Sequence, residues 1–262
     1  MSIPPIPEPP ESAGTRSEPG APAEPGTPTE SGTPAEPGAP AESDQPGPPP
    51  RSWLHLAAAG LLFLLPLLAF VDLAHEVVTH GQLGFDRAVM LWVHEYETPG
   101  VTTTMSAVTE LGGLAAVPIF AVICAGLLWW RGRRRDAALL AAAVIGSALL
   151  NTALKAVFQR ARPDFWEHLV VEDSFSFPSG HAMASMSFAA ALIVIAWRTR
   201  WRWPAVVAGL LYVAVVGLSR VYLGVHFPSD ILAGWCVAIV WVTIVVAVLD
   251  GASRRRERVR GS

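Results

Sequence analysis

Residues 203–249 read WPAVVAGLLYVAVVGLSRVYLGVHFPSDILAGWCVAIVWVTIVVAVL, and this stretch decides the fold. Two apolar runs, Trp203–Leu218 and Ile231–Leu249, flank a polar connector whose sequence is SRVYLGVHFPSD. An apolar helix of about 20 residues, rising ~1.5 Å per residue, crosses the ~30 Å hydrocarbon core of a bilayer. The stretch therefore predicts two membrane-spanning helices joined by a polar connector.

Four further apolar stretches precede this pair, so the sequence predicts six spans. They are Trp53–Leu73, Leu111–Trp130, Ala137–Val157 and Ala182–Trp197. The composition agrees, because 52% of the 262 residues are apolar and only 16% are charged, against about 25% charged in soluble domains. We expect an all-α fold in which residues 51–252 form a six-helix transmembrane bundle and residues 253–262 form a basic C-terminal tail.

The first fifty residues differ in composition from the rest of the chain. They consist largely of six-residue repeats such as EPGAPA and EPGTPT, with eight acidic residues and Arg16 as the only basic one, a net charge of −7. Such a segment buries too little apolar surface to offset its conformational entropy. Residues 1–50 are therefore predicted to be a disordered acidic tail, which serves as a tether or partner-binding arm or has no essential role.

Clusters of arginine predict the orientation in the membrane. They follow the second, fourth and sixth spans, at residues 131 and 133–135, at residues 198, 200 and 202, and at residues 254–256, 258 and 260. Basic residues concentrate in cytoplasmic connectors, so both termini are expected in the cytoplasm of a multi-pass cell-membrane protein. The extracytoplasmic face then receives three connectors, Ala74–Glu110, Phe158–His181 and Ser219–Asp230.

The first of these connectors contains apolar residues at helical spacing. Phe85, Ala88, Val89, Trp92 and Val93 recur among charged residues such as Asp86 and Arg87. This pattern predicts a short amphipathic helix on the outer surface of the membrane, or else a solvated connector.

Basic residues mark the outer end of the third span, where the sequence KAVFQRARP begins at Lys155. Seven residues make nearly two helical turns, so Lys155 and Arg162 are expected about 10 Å apart on one helix face, and Pro163 ends the helix. Lys155 is the only lysine among 19 basic residues. This choice favours a site that needs a compact ammonium group, although basic residues at a helix end also bind lipid headgroups.

The sequence FPSGH, residues 177–181, leads directly into the fourth span. A helix that begins at Ser179 and Gly180 offers free backbone N–H groups and its positive dipole end to an anion. His181, in the first turn, is expected to face that anion. Ser-Gly at a helix start is otherwise an ordinary cap.

The connector between the last two spans holds Arg220, His226 and Asp230. The four-residue spacing lets the Asp230 carboxylate take one ring N–H of His226 and leave the other nitrogen as a nucleophile. Arg220 adds a planar donor for phosphate oxygens. A His/Asp pair near a helix start is also compatible with a purely structural cap.

Together the three segments contain one residue for each task in phosphoryl transfer, and the predicted orientation places them on one membrane face. The other five histidines, at positions 55, 75, 80, 94 and 168, show no metal-ligand spacing. We therefore expect no metal site, no cofactor, no nucleic acid partner and no obligate protein partner, and a membrane lipid as substrate.

These segments resemble the three motifs of the type 2 phosphatidic acid phosphatase (PAP2) superfamily, which shares its phosphate-site fold with vanadium haloperoxidases. The family patterns K-x6-R-P, P-S-G-H and S-R-x5-H-x3-D match residues 155–163, 178–181 and 219–230 at every position. The resemblance implies an all-helical membrane phosphatase with His226 as nucleophile, Asp230 as its orienting partner and His181 as general acid. It implies that the phosphate is bound by Lys155, Arg162, Ser179, Gly180 and Arg220.

The lipid substrate is left open by the sequence. A polyprenyl diphosphate such as undecaprenyl diphosphate is preferred, with phosphatidic acid or phosphatidylglycerol phosphate as alternatives. Six spans place the site against lipid headgroups, which argues against a haloperoxidase. The alternative from another class is a non-enzymatic phospholipid-binding or transport protein that has kept a phosphate site.

Overall fold

The computed structural model describes residues 51–113, 115–166, 170 and 172–260, and the predicted tail at residues 1–50 lies outside these. The described part contains eight α-helices and no strand. They are α1 (Arg51–His80), α2 (Gly84–His94), α3 (Pro99–Leu111), α4 (Ala116–Trp130), α5 (Arg134–Phe158), α6 (Gly180–Ala196), α7 (Arg202–Tyr222) and α8 (Pro228–Arg260). The prediction of an all-α fold is confirmed. α8 continues through most of the segment 253–262 that the sequence analysis set apart as a tail.

Four of these helices, α1, α5, α7 and α8, are long and apolar enough to cross a membrane. α3 and α4 meet at 43° and pass the same test only as a bent pair, which is either a fifth, broken span or a re-entrant loop. α6 is a shorter apolar helix of 17 residues, about 25 Å long at ~1.5 Å per residue. The chain is therefore a multi-pass membrane protein in which each predicted span corresponds to an apolar helix, and a full crossing by α6 stays a prediction.

The bundle is built around α6, which packs against α5, α7 and α8. Its buried face carries small residues such as Ala182, Ser185 and Ala189, which let neighbouring helices approach closely. At Gly234 of α8, an added Cβ atom would lie 3.0 Å from both Ser179 O and Ala182 Cβ. Glycine at this position therefore allows the start of α8 to lie against the start of α6.

Two contacts bring the arginine-rich segments to one end of the bundle. Arg133 donates to the carbonyl of Ile195 at the end of α6 (3.4 Å), and Arg135 forms an ion pair with Asp250 in the C-terminal third of α8. The three motifs lie at the opposite ends of these helices, where α5 ends and where α6 and α8 begin.

The predicted amphipathic helix is present as α2, but it faces the protein differently than expected. Its buried residues are Asp86, Met90 and Val93, whereas Phe85 and Trp92 are 40% and 57% exposed. Asp86 is one of the charged residues of this pattern, yet it is fully buried. The reason is a set of polar partners on α8 and on the connector after α5, which no periodicity within α2 reveals.

Candidate active site

The three motifs meet at a cavity of about 800 Å³. Five of the eight predicted site residues line it, namely Lys155, Arg162, Gly180, His181 and His226. The other three, Ser179, Arg220 and Asp230, are buried beside it. The structure thus brings together residues that lie up to 75 positions apart in the sequence.

His226 and Asp230 form the deepest pair of the site. Nδ1 of His226 lies 3.3 Å from Oδ2 of Asp230, and the same carboxylate oxygen accepts the backbone N–H of Phe227 (2.9 Å). Because the carboxylate accepts the proton of Nδ1, the lone pair of the imidazole lies on Nε2. That nitrogen lies 3.3 Å from Nη1 of Arg162 at the cavity wall, where it can act as a nucleophile.

The backbone bond to Phe227 shows that Asp230 is also a helix cap. It is the third residue of α8 and reaches back to the N–H that precedes the helix, as in a capping box. Its second role follows from the i,i+4 spacing, which places His226 beside the same carboxylate. The structural and the functional interpretation of this pair therefore hold together.

The start of α6 forms the second side of the site. Ser179 is its N-cap, and its hydroxyl accepts the N–H of Ala182 (3.4 Å). The backbone N–H of Ser179 donates to the carbonyl of Asp230 (3.1 Å), which ties α6 to α8. Gly180 and His181 follow in the first turn and line the cavity, where the positive end of the helix dipole attracts an anion.

Three cations surround this helix start, and each has a partner in the connector between α5 and α6. Lys155 Nζ donates to the hydroxyl of Ser174 (2.8 Å), and Arg162 Nε donates to the Ser174 carbonyl (2.8 Å). Glu172 bridges the two arginines, since it contacts Arg220 and lies 3.4 Å from Nη2 of Arg162. A carboxylate therefore lies on both guanidinium groups that were predicted to bind phosphate.

Burial and neighbouring charges shift the pKa values of the titratable side chains that lie in the connectors of the site. Burial lowers the pKa of His226 well below its usual value of 6.5, and Arg220 lowers it further. Burial would raise the pKa of Glu172, but Arg220 and Arg162 outweigh burial, so that pKa falls below its usual value. Burial also lowers the pKa of Arg162, against the opposing effect of Glu172. At neutral pH the site therefore holds a neutral His226 and an ionised Glu172.

Arg162 reaches the cavity by a different route than predicted. α5 ends at Phe158, and Gln159 takes the left-handed conformation at φ 45°. Arg162 consequently lies in the connector, not on the same helix face as Lys155. A hydrogen bond from its Nη1 to the carbonyl of Val225 (2.6 Å) holds Arg162 beside the connector between α7 and α8, which contains His226.

Several residues of the site were missed by sequence reasoning. Ser176 Oγ donates to Oδ2 of Asp230 (2.8 Å), and Arg160 Nη1 lies 2.5 Å from Oδ1 of the same carboxylate. Asn151 on α5 donates to the carbonyl of Pro178 (3.0 Å) and so holds the loop before α6. The sequence did contain a signal for Glu172, because an acidic residue between two phosphate-binding motifs can pair with their cations. The roles of Ser176 and Asn151 depend on long-range contacts and gave no such signal.

Metal-ligating side chains do not cluster in the described residues, where no group of three or more His, Cys, Asp or Glu is placed to hold an ion. Lys155, Arg162, Arg220 and the start of α6 supply positive charge at this site.

Comparisons with known proteins show which family this chain resembles. Residues 136–254 match the model of the PAP2 superfamily. Phosphatidylglycerophosphatase B of Bacillus subtilis is 33% identical over 201 residues, which cover 73% of this chain and 96% of that protein. An undecaprenyl-diphosphatase of Sulfolobus acidocaldarius is 33% identical over 76 residues, or 29% of this chain and 34% of that protein. The crystal structure of a transmembrane PAP2 type phosphatidylglycerolphosphate phosphatase from Bacillus subtilis superposes with a TM-score of 0.66 at 28% identity, covering 73% and 97% of the two chains.

Proposed function

The chain belongs to the PAP2 superfamily, and we propose that it is an integral-membrane lipid phosphatase that acts through a phosphohistidine intermediate. The observation that carries this proposal is the position of His226. Its ring is oriented by Asp230, is neutral, and lines a cavity whose wall also holds Lys155, Arg162 and the start of α6.

In the first step, Nε2 of His226 attacks the phosphorus atom of the substrate. The N–P bond forms as the bond between phosphorus and the lipid-side oxygen breaks, and the imidazole becomes positively charged. The Asp230 carboxylate, 3.3 Å from Nδ1, stabilises that charge and keeps the ring in place.

His181 is the proposed general acid. It lies in the first turn of α6 and lines the same cavity, so it can give a proton to the departing alkoxide or phosphate oxygen. A water molecule then attacks phosphorus, His181 accepts its proton, and the N–P bond to His226 breaks. Inorganic phosphate is released and His226 is regenerated.

The cationic side chains stabilise the charge on the phosphoryl oxygens. Lys155, Arg162 and Arg220 supply donors together with the N–H groups at the start of α6. These groups take over the electrostatic role that magnesium has in many other phosphoryl-transfer sites. The proposal therefore assigns no metal to the reaction.

The shape of the cavity supports a lipid substrate. Its lining follows one face of α5 at four-residue steps, through Ser147, Asn151 and Lys155. Eight residues of helix correspond to about 12 Å, so the cavity extends from the cationic site along a membrane-spanning helix. A phosphoryl group at Lys155 thus allows the attached lipid to lie along α5.

The named relatives bear on two of the candidate lipids. Undecaprenyl diphosphate is the substrate preferred by the sequence analysis, and a relative matched over 76 residues carries that name. The relative matched over 201 residues is a phosphatidylglycerophosphatase, which supports phosphatidylglycerol phosphate. We propose the extracytoplasmic leaflet as the place of reaction, with both termini cytoplasmic, because the arginine-rich segments lie at the opposite end of the bundle.

Phosphate release from a lipid panel tests the function. Purified protein is assayed with undecaprenyl diphosphate, phosphatidylglycerol phosphate, phosphatidic acid and a prenyl monophosphate. We expect release from at least one lipid, loss of release in His226→Ala, and retained activity in His80→Ala, whose exposed ring lies 3.0 Å from the carboxylate of Glu76 on α1. If folded wild-type protein binds these lipids but releases no phosphate, the non-enzymatic alternative is correct.

A further inference from the structure

A second layer of charged side chains lies behind His226 and Asp230. Arg160, 7% exposed, places Nη1 2.5 Å from Oδ1 of Asp230 and Nη2 3.0 Å from Oδ2 of Asp86. Both carboxylates are fully buried. The four side chains therefore form one continuous array, in the order His226, Asp230, Arg160 and Asp86.

The guanidinium of Arg160 is held on every side. Its Nε donates to the carbonyl of Gly81 (3.0 Å), and Nη1 also donates to the hydroxyl of Ser229 (2.8 Å). Its centre lies 4.0 Å above the ring of Phe227. A planar fork of donors suits this position, and a lysine ammonium cannot reproduce it. Arg160 thereby holds the oxygen of Asp230 that His226 does not use.

Every hydrogen bond that the Asp86 side chain makes has its carboxylate as the acceptor. Ser229 donates its backbone N–H to Oδ1 (2.9 Å) and its hydroxyl to Oδ2 (2.6 Å), in the first turn of α8. The N–H of Leu83 adds a longer bond of 3.3 Å. These contacts suit a carboxylate, which accepts hydrogen bonds and donates none.

The charges of this array match the needs of the nucleophile. Arg160 cancels the net charge of Asp230 and so reduces the stabilisation that Asp230 gives to a positive imidazole. With Asp86 included, the array carries a charge of −1 while His226 is neutral, and no net charge once His226 becomes positive during attack. The electrostatic attraction between the array and the positive imidazole is strong because water is excluded from this buried region.

We propose that Arg160 and Asp86 are positioning residues for phosphoryl transfer. Arg160 orients Asp230 toward Nδ1 of His226, and the charge of Asp86 supplies the negative charge that balances the imidazole in the transition state. This inference rests on the proposed role of His226 as the nucleophile.

The test varies the charge of the array while keeping its shape. Asp86→Asn brings the array to zero, Arg160→Gln brings it to −2, and the double variant restores −1. We expect the pKa of the His226 ring to fall by about one unit in Asp86→Asn, to rise in Arg160→Gln, and to return to within a few tenths of wild type in the double variant. We expect kcat of Asp86→Asn to fall about ten- to a hundredfold with little change in KM.

Two readouts are combined. The acid limb of the pH profile of kcat/KM reports the free enzyme, and NMR of labelled histidine, assigned with His226→Gln, reports the same pKa without turnover. A failure of the proposed lipid phosphatase activity therefore does not remove the test. The other charged groups around His226 are the same in every variant: Asp230, Arg162, Arg220, Lys155, His181 and Glu172.

Matched controls separate charge from structure. Ser229→Ala removes hydroxyl bonds to Asp86 and Arg160 but no charge, so it should lower thermal stability and leave the His226 pKa in place. Asp136→Asn removes a carboxylate from the ion pair with Arg133 at the other end of α5 and should change neither.

Each single variant has its own expected sign, so either one that folds tests the proposal. A wild-type His226 pKa in either folded single variant would overturn it. A further fall of that pKa in the double variant, below the value in Asp86→Asn, would also overturn it.

Discussion

The carboxylate of Glu172 pairs with the guanidinium groups of Arg162 and Arg220, which bind the phosphoryl group in the proposed mechanism. Its carboxylate contacts Arg220 and lies 3.4 Å from Nη2 of Arg162, with its side chain 24% exposed. The lowered pKa of Glu172 keeps this carboxylate charged at neutral pH. A phosphate ion must therefore displace it, and Glu172→Gln, which keeps the shape and removes the charge, should tighten the binding of phosphate.

The magnitude follows from the contacts that are lost. A hydrogen bond to a charged group contributes about 1.5–3 kcal/mol, and the contact with Arg162 at 3.4 Å is long and partly exposed. When phosphate binds and displaces Glu172, we expect the net loss of free energy to equal about one such hydrogen bond, and not two. At ~1.4 kcal/mol for each factor of ten, Glu172→Gln should lower the inhibition constant for inorganic phosphate by about ten- to a hundredfold.

The assay measures inhibition of lipid hydrolysis by inorganic phosphate and by orthovanadate, together with thermal stabilisation of the protein by phosphate. Asp173→Asn is the matched control, because it removes a neighbouring exposed carboxylate. The effect should weaken as pH falls through the pKa of Glu172, where the wild-type side chain also loses its charge. Unchanged or weaker phosphate binding in folded Glu172→Gln would refute the competition, and Glu172 would then be a structural tie between two arginines.

Four further predictions concern the mechanism and the tail. His226→Ala should abolish turnover and the phosphoenzyme, whereas His181→Ala should lose more activity on alkyl phosphates than on p-nitrophenyl phosphate, whose leaving group needs little protonation; equal losses on both substrates would contradict the general-acid role. Because the pKa of His226 is lowered, its neutral form persists as pH falls through 6.5. The acid limb of the pH profile of kcat/KM should therefore lie below pH 6.5. A midpoint above 6.5 would be inconsistent with a buried nucleophile. Activity should persist in excess EDTA and be inhibited by vanadate; loss on chelation that a divalent ion restores would exclude the metal-free mechanism. Deleting residues 2–50 should leave membrane insertion and specific activity within about twofold, since the site lies entirely in the bundle, and a large fall in turnover of equally folded protein would assign the tail a role.

The spans and the motifs were predictable because both are local patterns. An apolar run such as Ile231–Leu249 identifies a membrane helix without knowledge of its neighbours. The four-residue spacing of His226 and Asp230 likewise indicates their contact, because His226 lies just before α8 and Asp230 in its first turn, with Nδ1 3.3 Å from Oδ2. Contacts between residues a few positions apart can therefore be predicted from the sequence.

The buried charges were not predictable, because their partners are distant in sequence. Asp86 and Ser229 are separated by 143 positions, and Arg160 and Asp230 by 70. Periodicity assigns a charged residue of an amphipathic helix to its solvent face, whereas Asp86 lies on the buried face of α2. Arg162 was misplaced for a related reason, since the left-handed Gln159 ends α5 before the proline that was expected to end it.

Asp230 shows why fold and site were difficult to separate from the sequence. Its carboxylate accepts bonds from Phe227, Ser176 and Arg160 in addition to facing His226. The first bond starts α8, the second ties in the connector before α6, and the third fills the oxygen that the imidazole leaves unused. Each bond that stabilises the bundle therefore also limits the orientation of the carboxylate, and a carboxylate held on three sides can take only the ring N–H on the fourth. The preorganisation of the nucleophile is thus a consequence of how the helices are joined.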